Sequence, residues 1–117
     1  MTTPEILWKQ TIVNINLKIK DAIQCLQKTG LKIVLVIDNN DKFKGTISDG
    51  DIRRGLLNNL SLESKLSTIL HKDAFIAPEG TDLVLIKSLM SANKIFQIPI
   101  INEEQKIIGL HHWEQVT

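Results

Sequence analysis

The chain has 117 residues, of which 43% are hydrophobic, and a net charge of +1 with one cysteine. That suits one compact domain with a real core; it is too apolar and too balanced for a disordered segment, and its scattered lysines form no basic face for nucleic acid. The lone Cys25 excludes an internal disulfide and a cysteine-rich zinc site, no run approaches the ~18 apolar residues of a membrane span, and MTTPEILWKQ lacks the apolar core of a secretory signal, so a cytoplasmic location is the expectation.

In chain order, residues 4–9 read as a helical turn or an arm, and 11–15 (TIVNI) as a short strand. Asn16 is the expected N-cap of a helix carrying Leu17, Ile19, Ala22, Ile23 and Leu26 at helical period and stopped by Gly30. Cys25 falls on its apolar face as a small buried hydrophobe. Residues 32–38 (KIVLVID) form a near-continuous apolar run of strand length, covered on both faces. A turn over 39–42 tolerates left-handed geometry, residues 43–48 return as a strand, and a helix starts near Asp49 and runs through Ile52, Leu56 and Leu57 to Asn58 or Asn59. Residues 61–70 (SLESKLSTIL) read as a connecting helix and 73–77 (DAFIA) as a strand ended by Pro78. Thr81 or Asp82 caps a helix carrying Leu83, Ile86, Leu89 and Met90; residues 97–101 and 106–111 are strands joined by a turn, and HHWEQVT begins a last helix.

The two halves are one unit written twice, 64 positions apart. LKIVLVIDNNDKFKGTISDGD (31–51) lies on IFQIPIINEEQKIIGLHHWEQ (95–115) without a gap, placing Leu31 on Ile95, Val36 on Ile100, Lys42 on Lys106 and Gly45 on Gly109. The register extends back through Ala22 on Ile86 and Leu26 on Met90. The predicted fold class is α/β (α+β): tandem β-α-β-β-α repeats with a pseudo-twofold axis, one module over 1–117 with repeats at 11–60 and 61–117. One such unit buries too little surface to stand alone, so two units packed sheet to sheet are expected to share one core. There is no GxGxxG and no chain of βαβ crossovers, which excludes a Rossmann fold.

The chemistry concentrates in Gly45–Arg54, GTISDGDIRR, at a strand end running into a helix start. Free N–H groups and the helix dipole favour anions there, but Asp49 and Asp51 would repel one. A nucleoside phosphate resolves the conflict: ribose hydroxyls on Asp51, phosphate near the Ser48 hydroxyl, the backbone N–H groups and Arg53 or Arg54, with Gly50 allowing close approach. The competing reading is a capping box, Ser48-x-x-Asp51, that holds no ligand, with Asp49 and Arg53 as an ordinary i,i+4 ion pair. The two readings can coexist.

A strand-turn-strand ending in G-x-x-S-x-x-D, present in two register-matched copies from about Thr11 to Thr117, resembles a CBS-domain pair, or Bateman module. The segment GTISDGDIRRGLL, with Trp8 in the N-terminal arm, is similar to the regulatory CBS pairs that precede a sugar-phosphate nucleotidyltransferase domain. The resemblance implies a module that binds an adenosine nucleotide (AMP, ADP or ATP-like) in the cleft between its repeats and modulates an attached or partner enzyme. It implies Ser48 and Asp51 as phosphate and ribose ligands, with Thr46 facing the cleft. Ala74, Phe75, Ile76, Phe96, Gln97 and Ile98 would read the base through their backbone. Phe75 or Phe96 could stack on it, although an aromatic here is more often core. It also implies a homodimer through helices bearing Leu56, Leu57, Leu85 and Leu89.

The second copy departs from the motif: Gly109 is kept, but His112 and Gln115 stand at the hydroxyl and acid positions, so one competent and one altered or empty site is expected. His111 and His112 point to opposite strand faces and suggest no metal site. Ser48 has no histidine relay and no nucleotidyltransferase catalytic loop is present, so no catalytic residue and no required cofactor is expected; any catalysis is expected of an attached enzyme domain following Thr117. A purely structural, dimerising module is the alternative.

Overall fold

The computed structural model describes residues 5–116, without the side chains of 5, 6, 115 and 116. Pro4 and Thr117, and the side chain of Gln115, therefore lie outside the described residues. The fold divides into two compact units: residues 10–74, and the described residues of 1–9 together with 75–117.

Helix α1 (Glu5–Gln10) carries Trp8, which is buried. The first unit then runs β1 (Ile12–Asn14), α2 (Ile19–Thr29), β2 (Val34–Ile37), β3 (Phe43–Ile47) and α3 (Asp49–Leu57). Its sheet has the order β1-β2-β3, with β1 parallel and β3 antiparallel to β2. The second unit repeats this as β4 (Ala77–Pro78), α4 (Leu83–Asn93), β5 (Gln97–Ile101), β6 (Ile107–His112) and α5 (Trp113–Val116), with the order β4-β5-β6. The β-α-β-β-α order read from the repeat is thus present twice.

Each unit holds a hydrophobic cluster of its own. In the first, Ile19, Ala22 and Cys25 of α2 pack on Val34, Val36, Ile47 and Ile52 with Leu66 and Ile69. In the second, Ile86 and Met90 of α4 pack on Ala77 and Ile98, with Leu89, Ile95 and Trp113 alongside. Cys25 is the buried hydrophobe expected; its thiol donates to the Gln10 carbonyl at 3.3 Å, and burial pushes its pKa up.

Three local readings are corrected. The cap of α2 is Lys18, not Asn16. The Asn16 side chain donates instead to Asn39 (3.2 Å), its N–H is held by the Asn14 side chain (2.8 Å), and the Asp21 carboxylate reaches back to the Lys18 N–H (2.9 Å). The connecting segment 61–70 is not an α-helix: it holds only a 3-10 turn, Leu66–Thr68. Ser61 and Ser64 bend the chain by bonding nearby N–H groups. The Leu62 and Ser64 carbonyls then accept from Lys20 and Ile19 at the start of α2 (3.0 and 2.9 Å), so this segment satisfies a helix end rather than making a helix. The strand expected over 73–77 shrinks to Ala77–Pro78, paired only with Ile100 and Ile101.

Candidate functional site

The junction between β3 and α3 is built on Gly45. A Cβ there would collide with the His71 carbonyl oxygen, because the backbone of His71 crosses directly over it. Thr46 and His71 clasp each other through two backbone bonds, Thr46 N–H to His71 O (3.1 Å) and His71 N–H to Thr46 O (2.9 Å). The buried Thr46 is thereby fixed, and the chain emerges at Ser48 in extended geometry, ready to cap α3. Sequence reasoning kept Gly45 as a repeat landmark but missed His71; the required closeness at Gly45 was its only trace.

The capping box is real. The Asp51 N–H donates to Ser48 Oγ (3.2 Å), while Asp51 Oδ2 accepts from both the Ser48 N–H (2.8 Å) and the Ser48 hydroxyl (3.0 Å). Asp51 Oδ1 accepts from Arg54 Nη2 at 2.8 Å. The acid is mostly covered, its side chain 17% exposed, whereas Arg54 is 68% exposed. Gly50 lies beneath this arginine: a Cβ would stand 3.2 Å from Arg54 Nη1. The two arginines are separated, for Arg53 turns to Asp49 (2.6 Å) in an ion pair exposed on both sides. Among the described residues the N–H groups of Asp49 and Gly50 have no protein acceptor, as befits the first turn of a helix.

Ser48, Gly50, Asp51 and Arg54 are therefore gathered at one place, with Thr46 buried in the strand that leads to it. The residues expected to read the base are placed elsewhere in the chain. Ala74 ends the first unit. Phe75 and Ile76 precede β4 outside any strand and are exposed. Phe96 is 63% exposed, so neither phenylalanine belongs to the core; the Phe96 carbonyl accepts from the Trp113 N–H at 2.7 Å. Gln97 and Ile98 lie opposite His112 and His111 in the β5–β6 ladder, with the Ile98 side chain fully buried.

The second junction shares the strand-to-helix frame and carries other side chains. Leu110, fully buried, replaces Thr46. His112 caps a single turn, its Nδ1 accepting from the Glu114 N–H at 3.3 Å. No group of three metal-ligating side chains occurs among the described residues, and no helix among them is long and apolar enough to cross a membrane.

Residues 1–58 match the family model of the CBS domain. An arabinose 5-phosphate isomerase, GutQ, of Salmonella typhi is 30% identical over 91 residues, covering 78% of this chain and 28% of that protein. The chain spans about three tenths of the length of the curated relatives it matches. Among solved structures, the CBS domains of a transcriptional regulator from Streptococcus pneumoniae superpose with a TM-score of 0.84 at 15% identity, covering 99% of this chain and 92% of that one. CBSX2 in complex with AMP superposes with a TM-score of 0.79 at 21% identity, over 90% and 82%. The first 58 residues are therefore similar to a CBS domain, and the chain has the fold of a CBS-domain pair.

Proposed function

We propose that this chain is a regulatory module that binds an adenosine nucleotide at the Ser48–Asp51 junction and adjusts an attached or partner enzyme. The observation that carries the reading is the convergence of a covered carboxylate, a hydroxyl, an exposed guanidinium and two helix-start N–H groups at one point of the first repeat. Asp51 suits ribose hydroxyls, and Arg54 with the Asp49 and Gly50 N–H groups suits phosphate. The base is assigned to residues 74–76 and 96–98 by the resemblance alone. CBSX2, of the same fold, was solved with AMP. For the enzyme, the segment GTISDGDIRRGLL suggests a sugar-phosphate nucleotidyltransferase, while GutQ is an isomerase of a sugar phosphate; the common element, and the partner we infer, is an enzyme handling sugar phosphates.

Calorimetric titration with AMP, ADP, ATP and S-adenosylmethionine tests this. Binding of at least one, lost in Asp51→Ala with the fold retained by circular dichroism, is expected; no heat and no thermal shift at millimolar ligand would overturn it.

A second reading, a dimerising spacer without ligand, draws on α4. Leu83, Val84 and Leu85 are exposed (Val84 by 73%), where the first repeat has Ile19, Lys20 and Asp21. Of the residues expected at a dimer contact, Leu57 and Leu85 are well exposed, while Leu89 packs on the core. Light scattering showing dimers with no nucleotide affinity would favour this reading.

A further inference from the structure

The bonds at Asp51 bear on which ligands the junction accepts, an inference that rests on the nucleotide-binding reading above. A carboxylate offers about four lone-pair sites. Two are taken by the Ser48 N–H and hydroxyl on Oδ2, and one by Arg54 on Oδ1. A ribose diol needs two acceptor sites, and only one remains. Binding a diol thus requires a donor to leave. The Ser48 N–H is fixed by the capping backbone. Among the described residues the Arg54 guanidinium is held by one hydrogen bond, to Asp51; it is largely exposed and lies over a glycine that leaves it room to swing.

We infer that Arg54 is the selectivity determinant of this site: it passes from Asp51 to a phosphate of the ligand as the ribose takes its place, so the site prefers phosphorylated nucleosides to neutral or sulfonium ones. A nucleotide exchanges one charge-assisted contact for another. A neutral nucleoside breaks the Asp51–Arg54 pair and returns nothing to the guanidinium, and a sulfonium nucleoside sets a like charge beside it. Arg53 is 68% exposed and engaged with Asp49, and takes no part.

The test is calorimetric titration of AMP and of adenosine into the wild-type chain and into Arg54→Ala, Arg54→Gln and Arg53→Ala, each checked for its melting temperature. Wild type is expected to bind AMP about tenfold or more tighter than adenosine, the range of a charged hydrogen bond. In Arg54→Ala the ratio should fall several-fold, leaving only the preference that the Asp49 and Gly50 N–H groups supply, with adenosine binding unchanged or tighter because Oδ1 is released. Arg54→Gln keeps a long polar stem and guards against a packing artefact; it should behave as Arg54→Ala does. Arg53→Ala should leave the ratio untouched. If AMP binds but the ratio survives Arg54→Ala, or falls in Arg53→Ala instead, this inference is overturned and the nucleotide reading stands. If neither ligand binds wild type, both fall together.

Discussion

The two units are the same backbone carrying different side chains. Gly30 and Lys94, 64 positions apart, both end a helix in left-handed geometry, with φ of 68° and 54°. Asp41 and Gln105 both turn a hairpin at positive φ, 62° and 65°. The bulge between Val36 and Ile37 recurs between Ile100 and Ile101. The Ile15 N–H bonds the Ile37 carbonyl as the Glu79 N–H bonds that of Ile101. The copies part at the strand-to-helix junction: Ser48, Asp51 and Arg54 stand at the start of α3, while His112 caps the start of α5. Backbone devices are set by the fold and persist in both copies; the side chains at the junction are independent of it and differ between them.

The largest effect should come from the device that shapes the first junction. Gly45→Ala drives a Cβ into the His71 backbone, which cannot yield without breaking the Thr46–His71 clasp. A loss of about 3 kcal/mol is expected from urea unfolding, from overpacking and strain together. Gly80, also at positive φ (84°) but with nothing near its Cβ position, provides the contrast: Gly80→Ala should cost only the strain, about 1 kcal/mol. Equal losses would show that closeness at Gly45 is unimportant.

Next in size are the caps. Ser48→Ala removes the acceptor of the Asp51 N–H and should cost about 1 kcal/mol. His112→Ala, which releases a longer 3.3 Å bond on a single turn, should cost under about 0.5 kcal/mol. Asp51→Ala unsettles the same box and frees Arg54, so its effect on nucleotide binding has meaning only beside a measured stability. Comparable losses at Ser48 and His112 would mean that the junctions are closer in structure than their side chains suggest.

A smaller effect, of opposite sign, is expected at the helix ends. Lys94 occupies left-handed geometry that Gly30 adopts freely, so Lys94→Gly should stabilise by about 0.5–1 kcal/mol in the same assay, and no gain would indicate that Lys94 is supported by contacts its backbone does not reveal. This pair also shows what the sequence made legible. Gly30 announced its stop, the repeat and the strand 97–101 were equally plain, and the cap expected at Thr81 or Asp82 falls on Asp82, because periodicity and cap chemistry are local. The start of α2 was misplaced, since Asn14, Asn16 and Asn39 form a contact across the hairpin that no local pattern records. Residues 61–70 carry a helical apolar period, yet their carbonyls are required by α2. At the site, Ser48 and Asp51 were visible as a motif. The division of labour between Arg53 and Arg54 was not, because both stand one turn from an acid and only the fold of the junction chooses the pairs.

The smallest effect concerns charge at the hairpins. Asp38 Oδ1 accepts from the Asn40 and Lys42 N–H groups (2.8 and 3.0 Å), and Asn102 Oδ1 accepts from those of Glu104 and Lys106 (both 3.0 Å), so one geometry is made with and without a charge. The Lys42 N–H foremost, then that of Asn40 and the Lys44 ammonium 3.6 Å away, hold the Asp38 carboxyl below its ordinary range. A depressed carboxylate contributes stability that is fully present above its unfolded pKa, about 4, and is lost as pH falls through the lower folded value. Asp38→Asn keeps both backbone bonds and removes the titration. Wild type should therefore be the more stable at pH 7 in urea unfolding, with the difference vanishing towards pH 2. The reverse exchange sharpens the point. Asn102→Asp places a carboxylate on the same N–H pair, but Ile108 stands where the first copy has Lys44. It should acquire a pH dependence of the same sign and smaller size. If the two dependences match, the backbone N–H groups alone set the carboxyl, and the lysine contributes nothing.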